Sequence, residues 1–377
     1  MKYYIIAGEA SGDLYGSNLV RELKLKDSKA DIRAWGGDLI QEQGVDLIKH
    51  YKDHNYMGFL EVVRNLGTIL KNIDFCKKDI KEFNPDALIL IDFPGFNMRI
   101  AKYFHQYSFP VLYYIAPQVW AWKENRVEAI KKYVDRLYVI LPFEKEFLKK
   151  HGIESNYIGH PLLEHILNFK KNLSLSKKEF LANHSLDVGK PIISLIPGSR
   201  KQEIEKKLPV MLEAVSSYTK EFNIVIAGMR NFKDLYGKIT SNSNVKVIYK
   251  DTYNLLNNSS RALVTSGTAT LETAFFNVPQ IVCYRTSWLS YLIAKSLVKI
   301  KYISLVNLIM DKEIVKELIQ NNLSVFKLTK ELNILNDDLA LNKMKEAYRL
   351  LIAKCQGENV SKNIVTDMLK TIESFQK

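Results

Sequence analysis

The sequence predicts an α/β protein built as two successive Rossmann-like domains, and three observations predict it. Short apolar runs of strand length alternate with amphipathic helical spacing along most of the chain. That series occurs twice, with a change to polar texture near residues 165–190. The length of 377 residues exceeds what one ordinary hydrophobic core serves.

In the first series, Tyr3–Ala7, Ala87–Ile91, Val111–Ile115 and Leu137–Leu141 read as buried parallel strands, because their apolar runs are continuous rather than alternating. Leu14–Lys24 and Ile69–Phe83 carry helical spacing between them. The polar run from Asn168 to Ser174 reads as a linker. The second series has strands at Ile192–Ile196, Ile224–Ala227, Val245–Ile248, Ala262–Thr265 and Gln280–Cys283. A last helix over Val360–Phe375 is far from the first domain in sequence, yet free to pack back onto it. The expected domains are therefore residues 1–165 and 166–349, with residues from about 350 to 377 a candidate return to the first. Two such series imply sheets facing each other across a cleft, with ligands beyond the carboxyl ends of the strands.

Composition narrows the class. Apolar residues make up 47% and charged residues 25%, an ordinary globular balance that excludes extensive disorder. The three cysteines, Cys76, Cys283 and Cys355, are far apart, so neither a disulfide framework nor a zinc site is expected, and a reducing cytoplasm fits. The apolar run after Met1-Lys2 is too short for a signal peptide, and no uncharged apolar stretch reaches the roughly 18 residues of a membrane span. The net charge of +13 points to an anionic partner, or to lysines that are simply solvated, as in Lys201–Lys207.

Five strand-end motifs carry the candidate chemistry. Gly8-Glu9-Ala10-Ser11-Gly12-Asp13 follows the first strand and opens a helix, so Ser11 and Gly12 are candidate ligand contacts near its positive end. The structural alternative is a tight turn with Asp13 in the first helical turn. Asp92 ends the apolar run Ala87–Ile91, where partial desolvation raises a carboxyl pKa and suits a general base; a loop-ordering Asp is the alternative. In Ala116–Lys123, Trp120 and Trp122 either line a sugar or acyl site or fill a domain edge. Pro197-Gly198-Ser199-Arg200 opens the second domain as the Gly8 loop opens the first, and Arg200 offers a planar fork to phosphate or is an exposed turn residue. Ser266-Gly267-Thr268 starts a helix whose N–H groups suit a diphosphate, with Glu272 one turn further on within reach of a ribose. No metal is expected: there is no Asp-x-Asp, and His160 and His165 are five apart. Neither a dinucleotide nor a P-loop fingerprint is present.

Taken in order, Gly-Glu-Ala-Ser-Gly-Asp, Pro-x-Val-Trp-Ala-Trp, Leu-Pro-Phe-Glu at 141–144, Gly-His at 159–160, Pro-Gly-Ser-Arg and Ser-Gly-Thr-Ala-x-Leu-Glu resemble the lipid A disaccharide synthase family. The resemblance implies the GT-B fold and an inverting transfer without a cofactor. UDP-2,3-diacylglucosamine and 2,3-diacylglucosamine 1-phosphate (lipid X) would give a β-1,6-linked disaccharide phosphate and UDP. It implies Asp92 as base, Arg200 and Asn307 in substrate binding, and the Ser266–Glu272 loop at the nucleotide. It further implies a peripheral position at the cytoplasmic face of the inner membrane and allows a homodimer. Two positions depart from the family pattern: Gly95 stands where a second acid is expected, and Val306 where proline often precedes Asn307.

Two other classes stay in view. A related UDP-sugar enzyme, such as a UDP-N-acetylglucosamine epimerase, would share the nucleotide loop but lack an acyl surface. A nucleic-acid-binding protein would suit the charge but needs an aromatic-basic module that the sequence lacks. For lipid access, Tyr56–Arg64 and Trp288–Tyr302 mix apolar side chains with basic ones, as interfacial segments do and as core helices with snorkelling lysines also do.

Overall fold

The computed structural model describes residues 1–53, 65–120, 126–288, 291–292 and 300–376. The described residues divide into two compact units, the first from Met1 to Glu164 joined by the stretch from Cys355 onward, the second made of the described residues between.

In the first unit the described residues form a seven-stranded sheet in the order β3-β2-β1-β4-β5-β6-β7. Its strands are β1 (Lys2–Ala7), β2 (Asp31–Gly36), β3 (Asp46–His50), β4 (Ala87–Ile91), β5 (Val111–Tyr114), β6 (Arg136–Val139) and β7 (Asn156–Tyr157). Every pairing is parallel. The helices of this unit are α1 (Ala10–Lys26), α2 (Asp38–Gln41), α3 (Leu66–Phe83), α4 (Pro94–Phe104), α5 (Arg126–Tyr133) and α6 (Glu144–Lys150). Strand residues alternate between two covered faces, which is why their apolar runs are continuous. Tyr4, Ile6, Leu88, Leu90, Val111 and Tyr113 join one core with Ile73, Cys76 and Ile80 of α3 and Phe96, Ile100 and Phe104 of α4. On the opposite face α1 lies close to the sheet, since a Cβ added to Gly12 would stand 3.3 Å from Ala7 Cβ and 3.7 Å from Ile91 Cγ2.

The second unit holds a six-stranded parallel sheet in the order β10-β9-β8-β11-β12-β13 among the described residues. These are β8 (Ile192–Ile196), β9 (Asn223–Gly228), β10 (Lys246–Tyr249), β11 (Ser259–Thr265), β12 (Gln280–Tyr284) and β13 (Lys316–Ile319). Before, between and after them run α7 (Pro161–Lys171, whose first turn belongs to the first unit), α8 (Lys177–Asn183), α9 (Lys201–Val215), α10 (Lys233–Thr240), α11 (Thr252–Asn258), α12 (Thr268–Phe275), α13 (Leu305–Met310), α14 (Val325–Ile334) and α15 (Asp338–Cys355). Ile204, Leu208 and Met211 of α9 and Leu328 and Leu332 of α14 pack on Ile193, Leu195, Leu263 and Ile281.

The linker expected at Asn168–Ser174 is half helix. The helix α7 runs to Lys171, starting from Pro161 at a position that needs no N–H donor. Phe169 extends it because its ring packs edge-on against Tyr253 at 5.3 Å and Phe276 at 5.9 Å. The polar Asn168, Lys170 and Lys171 flank that one anchor.

The last helix, α16 (Val360–Phe375), belongs to the first unit. Asp367 fastens it there: its carboxylate accepts both Nε and Nη2 of Arg136, the Tyr138 hydroxyl and Asn156 Nδ2, each at 2.8 Å. At its start, Glu164 accepts the Ser361 hydroxyl at 2.6 Å and the Ser361 N–H at 3.1 Å. Among the described residues no helix is long and apolar enough to cross a membrane.

Candidate active site

Each sheet has one topological switch point, where the chain leaves a central strand on both sides, and ligands in such sheets bind beyond the carboxyl ends there. In the first unit the switch lies between β1 and β4, whose last residues Ala7 and Ile91 are paired. The Gly8 loop and the Asp92 loop therefore leave the sheet side by side. They touch: a Cβ on Gly8 would lie 2.2 Å from the Phe93 ring, so only glycine admits that ring over the backbone.

Asp92 is partly exposed and has φ of 47°, and Phe93 follows at φ 50°. Two consecutive left-handed residues turn the chain sharply out of β4 into α4, at a cost that asparagine and aspartate bear best. The turn is held at one atom. The main-chain oxygen of Asp92 accepts the Tyr113 hydroxyl at 2.6 Å and Asn97 Nδ2 at 2.8 Å, while Asp92 N donates to Tyr114 O at 3.0 Å. The carboxyl is left to the strand end. Burial raises its pKa from the ordinary 3.8 to about 6, against a small lowering by the Phe93 N–H.

A second carboxyl, from outside this loop, shares the electrostatics. Glu144 is 2% exposed and accepts Trp120 Nε1 at 2.9 Å, Leu141 N at 2.9 Å and Ile140 N at 3.2 Å. Burial, helped by the nearby Asp92 charge, outweighs these bonds and raises its pKa to about 7. Glu144 lies in the Leu-Pro-Phe-Glu run, where nothing local in the sequence marks it as more than a first-turn acid. Trp120 thus has a partner that fixes its indole, whereas Trp122 lies outside the described residues.

The Gly8 loop corrects the reading of its helix start. Ser11 and Gly12 stand inside the first turn of α1 rather than in a loop ahead of it. Asp13 is buried, and its carboxylate accepts Gly37 N at 2.8 Å, Ile40 N at 3.0 Å and Leu39 N at 3.1 Å. It therefore caps the neighbouring α2, an ordering role at long range.

In the second unit the switch lies between β8 and β11, with Ile196 paired to Val264. The Pro197–Arg200 loop and the Ser266–Thr268 loop leave side by side. Arg200 is exposed, is the N-cap residue of α9, and lies 3.9 Å from Glu203. Gly267 has φ of 130°, backbone that side-chain-bearing residues rarely adopt, and it caps α12 with no side-chain bond. Ser266 spends its hydroxyl on Ile303 O at 2.8 Å, and Thr268 is exposed at the first helical position. Glu272 is partly exposed; it accepts the Tyr253 hydroxyl at 3.2 Å, and burial raises its pKa.

Asn307 is fully buried, and its amide is occupied at both ends. Nδ2 donates to Val315 O at 2.8 Å and Glu317 Oε1 at 2.9 Å, while Oδ1 accepts Ile314 N at 2.7 Å and Val315 N at 3.0 Å. Those four bonds exhaust an amide's capacity. The geometry makes Asn307 a brace between α13 and β13. Val306, the departure beside it, is fully buried.

Among the described residues no group of three or more His, Cys, Asp or Glu side chains is arranged to hold a metal ion. The stretch Tyr56–Arg64 lies outside the described residues, as does most of Trp288–Tyr302; within the latter, Trp288 is 59% and Leu292 44% exposed.

The family model for lipid-A-disaccharide synthetase matches residues 3–367. The chain belongs to the lipid-A-disaccharide synthetase family. It is a glycosyltransferase of lipid A biosynthesis, as the motif order implied. The lipid-A-disaccharide synthase of Geobacter sulfurreducens is 34% identical over 359 residues, 94% of this chain and 92% of that one. That of Syntrophus aciditrophicus is 38% identical over 324 residues, 84% and 83% of the two chains. Among solved structures, the UDP-GlcNAc 2-epimerase of Neisseria meningitidis bound to UDP-GlcNAc superposes with a TM-score of 0.70 at 14% identity, over 98% of this chain and 100% of that one. A glycosyltransferase from Rickettsia africae gives 0.58 at 15%, over 100% and 98%. These two likenesses show the shared two-domain fold, which the family has in common with the epimerases, and the sequence relatives decide between them.

Proposed function

We propose that this family member transfers a 2,3-diacylglucosamine unit from its UDP derivative to the 6-hydroxyl of 2,3-diacylglucosamine 1-phosphate, with inversion at the transferred carbon. The observation that carries the reading is Asp92, a carboxyl at the switch point of the first sheet with its pKa raised to about 6. It is ionised at neutral pH yet basic enough to take a proton, which is what a general base needs. Asp92 takes the acceptor's hydroxyl proton as that oxygen bonds to C1 of the donor sugar. The C1–O bond to UDP breaks, and UDP leaves with the electron pair. An inverting transfer needs one base and no covalent intermediate, so Gly95 in place of a second acid leaves the mechanism intact.

The second unit receives the leaving group. The start of α12, bare of a side-chain cap, offers the N–H groups of Thr268 and Ala269 to the diphosphate at the helix's positive end, and Arg200 adds a cation. Glu272, oriented by Tyr253, accepts from the ribose. Ser11 stands at the start of α1 beside the Asp92 loop and contacts the acceptor, with Gly12 letting the helix come close. Asn307 shapes the site by holding α13. Mass spectrometry of the reaction between the two lipid substrates tests the reading: it requires a disaccharide 1-phosphate and stoichiometric UDP, and free UDP without disaccharide overturns it.

A further inference from the structure

Lys207 sits in the middle of α9 and is only 1% exposed, although lysine is almost never fully buried without partners. Its ammonium donates to the hydroxyl of Thr265, the last residue of β11, immediately before Ser266 and Gly267. It lies 3.9 Å from Glu203. Glu203 reaches the other loop: Oε2 accepts Ser199 N at 3.2 Å, and a Cβ on Gly198 would stand 2.1 Å from that same oxygen. One buried ammonium therefore ties together the ends of β8 and β11, the two strands at the switch point of the second sheet.

The surroundings poise its charge. Burial lowers the pKa of Lys207 to about 8; Glu203 and the Cys283 thiol oppose that, and Arg200 adds to it. The Cys283 thiol is itself pushed up to about 12, so it does not titrate alongside. A diphosphate placed at the two loops would add negative charge close to Lys207 in a poorly screened interior, and so favour its charged form.

We propose that Lys207 is a positioning residue of the nucleotide site, holding the Pro197–Arg200 and Ser266–Thr268 loops together and taking up a proton when a nucleoside diphosphate binds. This rests on the reading that the Ser266 loop holds UDP. Linkage then makes UDP affinity depend on pH, because what binds with a proton binds more weakly as protons become scarce.

Calorimetric titration of the full chain with UDP at pH 8, in Tris and in HEPES, reads the proton directly, since the two buffers differ in ionisation heat. The expected result is an apparent heat that differs between buffers by the uptake of about half a proton per UDP, the fraction of a lysine of pKa near 8 still neutral at that pH. The UDP Kd of the parent should weaken severalfold from pH 8 to pH 9. Lys207→Met should keep the thermal midpoint, lose the buffer difference and weaken UDP binding at least tenfold at pH 7. Equal heats in the two buffers, a Kd flat between pH 8 and pH 9, or a buffer difference that persists in Lys207→Met overturns the proposal. The parent's Kd against pH decides the matter even where the variant does not fold. Absence of any UDP heat removes the nucleotide reading itself, whereas UDP heat without proton uptake removes only the role of Lys207.

Discussion

Tyr113 donates its hydroxyl proton to the main-chain oxygen of Asp92 at 2.6 Å, so a residue of the neighbouring strand holds the turn that carries the proposed base. Asn97 Nδ2 donates to the same oxygen at 2.8 Å. The proposed base is thus placed through its backbone, and its carboxyl accepts from the Phe93 N–H. Tyr113→Phe removes one of the two bonds without changing the ring. It should lower kcat about tenfold at constant KM and cost about 1 kcal/mol of stability. Steady-state kinetics with a denaturation curve checks this, and a parental kcat would show that Asn97 alone sets the turn.

Because burial holds the Asp92 carboxyl at about 6, its ionised fraction, and with it kcat/KM, should fall tenfold per pH unit below about pH 6 and level off above. Asp92→Asn should lose roughly 10²–10⁴ in kcat and the acid limb together. Near-full turnover in that variant would place the base elsewhere.

Glu144 makes stability depend on pH in the opposite sense to an ordinary carboxylate. Its pKa is raised on folding, from 4.5 to about 7, so the folded state binds the proton more tightly than the unfolded state. The contribution is fully present below pH 4.5 and lost as pH rises through 7, roughly 3 kcal/mol in all. Urea midpoints measured from pH 4.5 to pH 8 should fall along that range, and Glu144→Gln should flatten the slope. An unchanged slope in the variant would assign the effect to other groups.

Asp367 works the other way. Burial pushes its pKa up, but Arg136, Tyr138 and Asn156 together outweigh this and hold it below the usual carboxylate value. Stability from this cluster is present above the unfolded pKa and is lost as pH falls through the lower folded value. Asp367→Asn should cost about 2–3 kcal/mol, because Arg136 loses a bidentate partner in a partly buried place. The expected readout is faster proteolysis near the C-terminus along with the lower midpoint; a midpoint within error of the parent would mean the apolar face of α16 suffices.

Both proposed substrates are lipids, and exposed Trp288 and Leu292 are the described residues of the Trp288–Tyr302 stretch that suit a bilayer surface. With lysines nearby in the sequence, sedimentation with anionic vesicles should be strong at low salt and weaken at high salt. Trp288→Ser with Leu292→Ser should sediment less while the thermal midpoint stays. Equal sedimentation would exclude this stretch as the contact.

The strands that are apolar on both faces were legible in the sequence, and so were the loops that follow them. Tyr3–Ala7, Ala87–Ile91 and Ile192–Ile196 are continuous apolar runs because each is covered twice, and that requirement is written in consecutive residues. Four others were not, although the edge strand β10 was. The strands β2, β3, β7 and β13 are short or mixed in polarity, as in Asp46–His50 and Lys316–Ile319, and their strand character comes from a neighbour's hydrogen bonds. Phe169 similarly turns an apparent linker into helix through contacts more than 80 residues away in sequence.

By itself the sequence determined the fold class, the family and the position of Asp92, because apolar periodicity and strand-end motifs are local properties of the chain. Only the tertiary structure decided what each polar group is paired with. It turned Asp13 into a cap for another helix, closed both ends of the Asn307 amide, raised the Glu144 carboxyl beside Trp120, buried Lys207 beneath two loops and sent Asp367 back to Arg136. The physical reason is that a side chain's pKa and hydrogen-bonding capacity depend on its neighbours in space and on the water they exclude, and neither is encoded within a window of sequence.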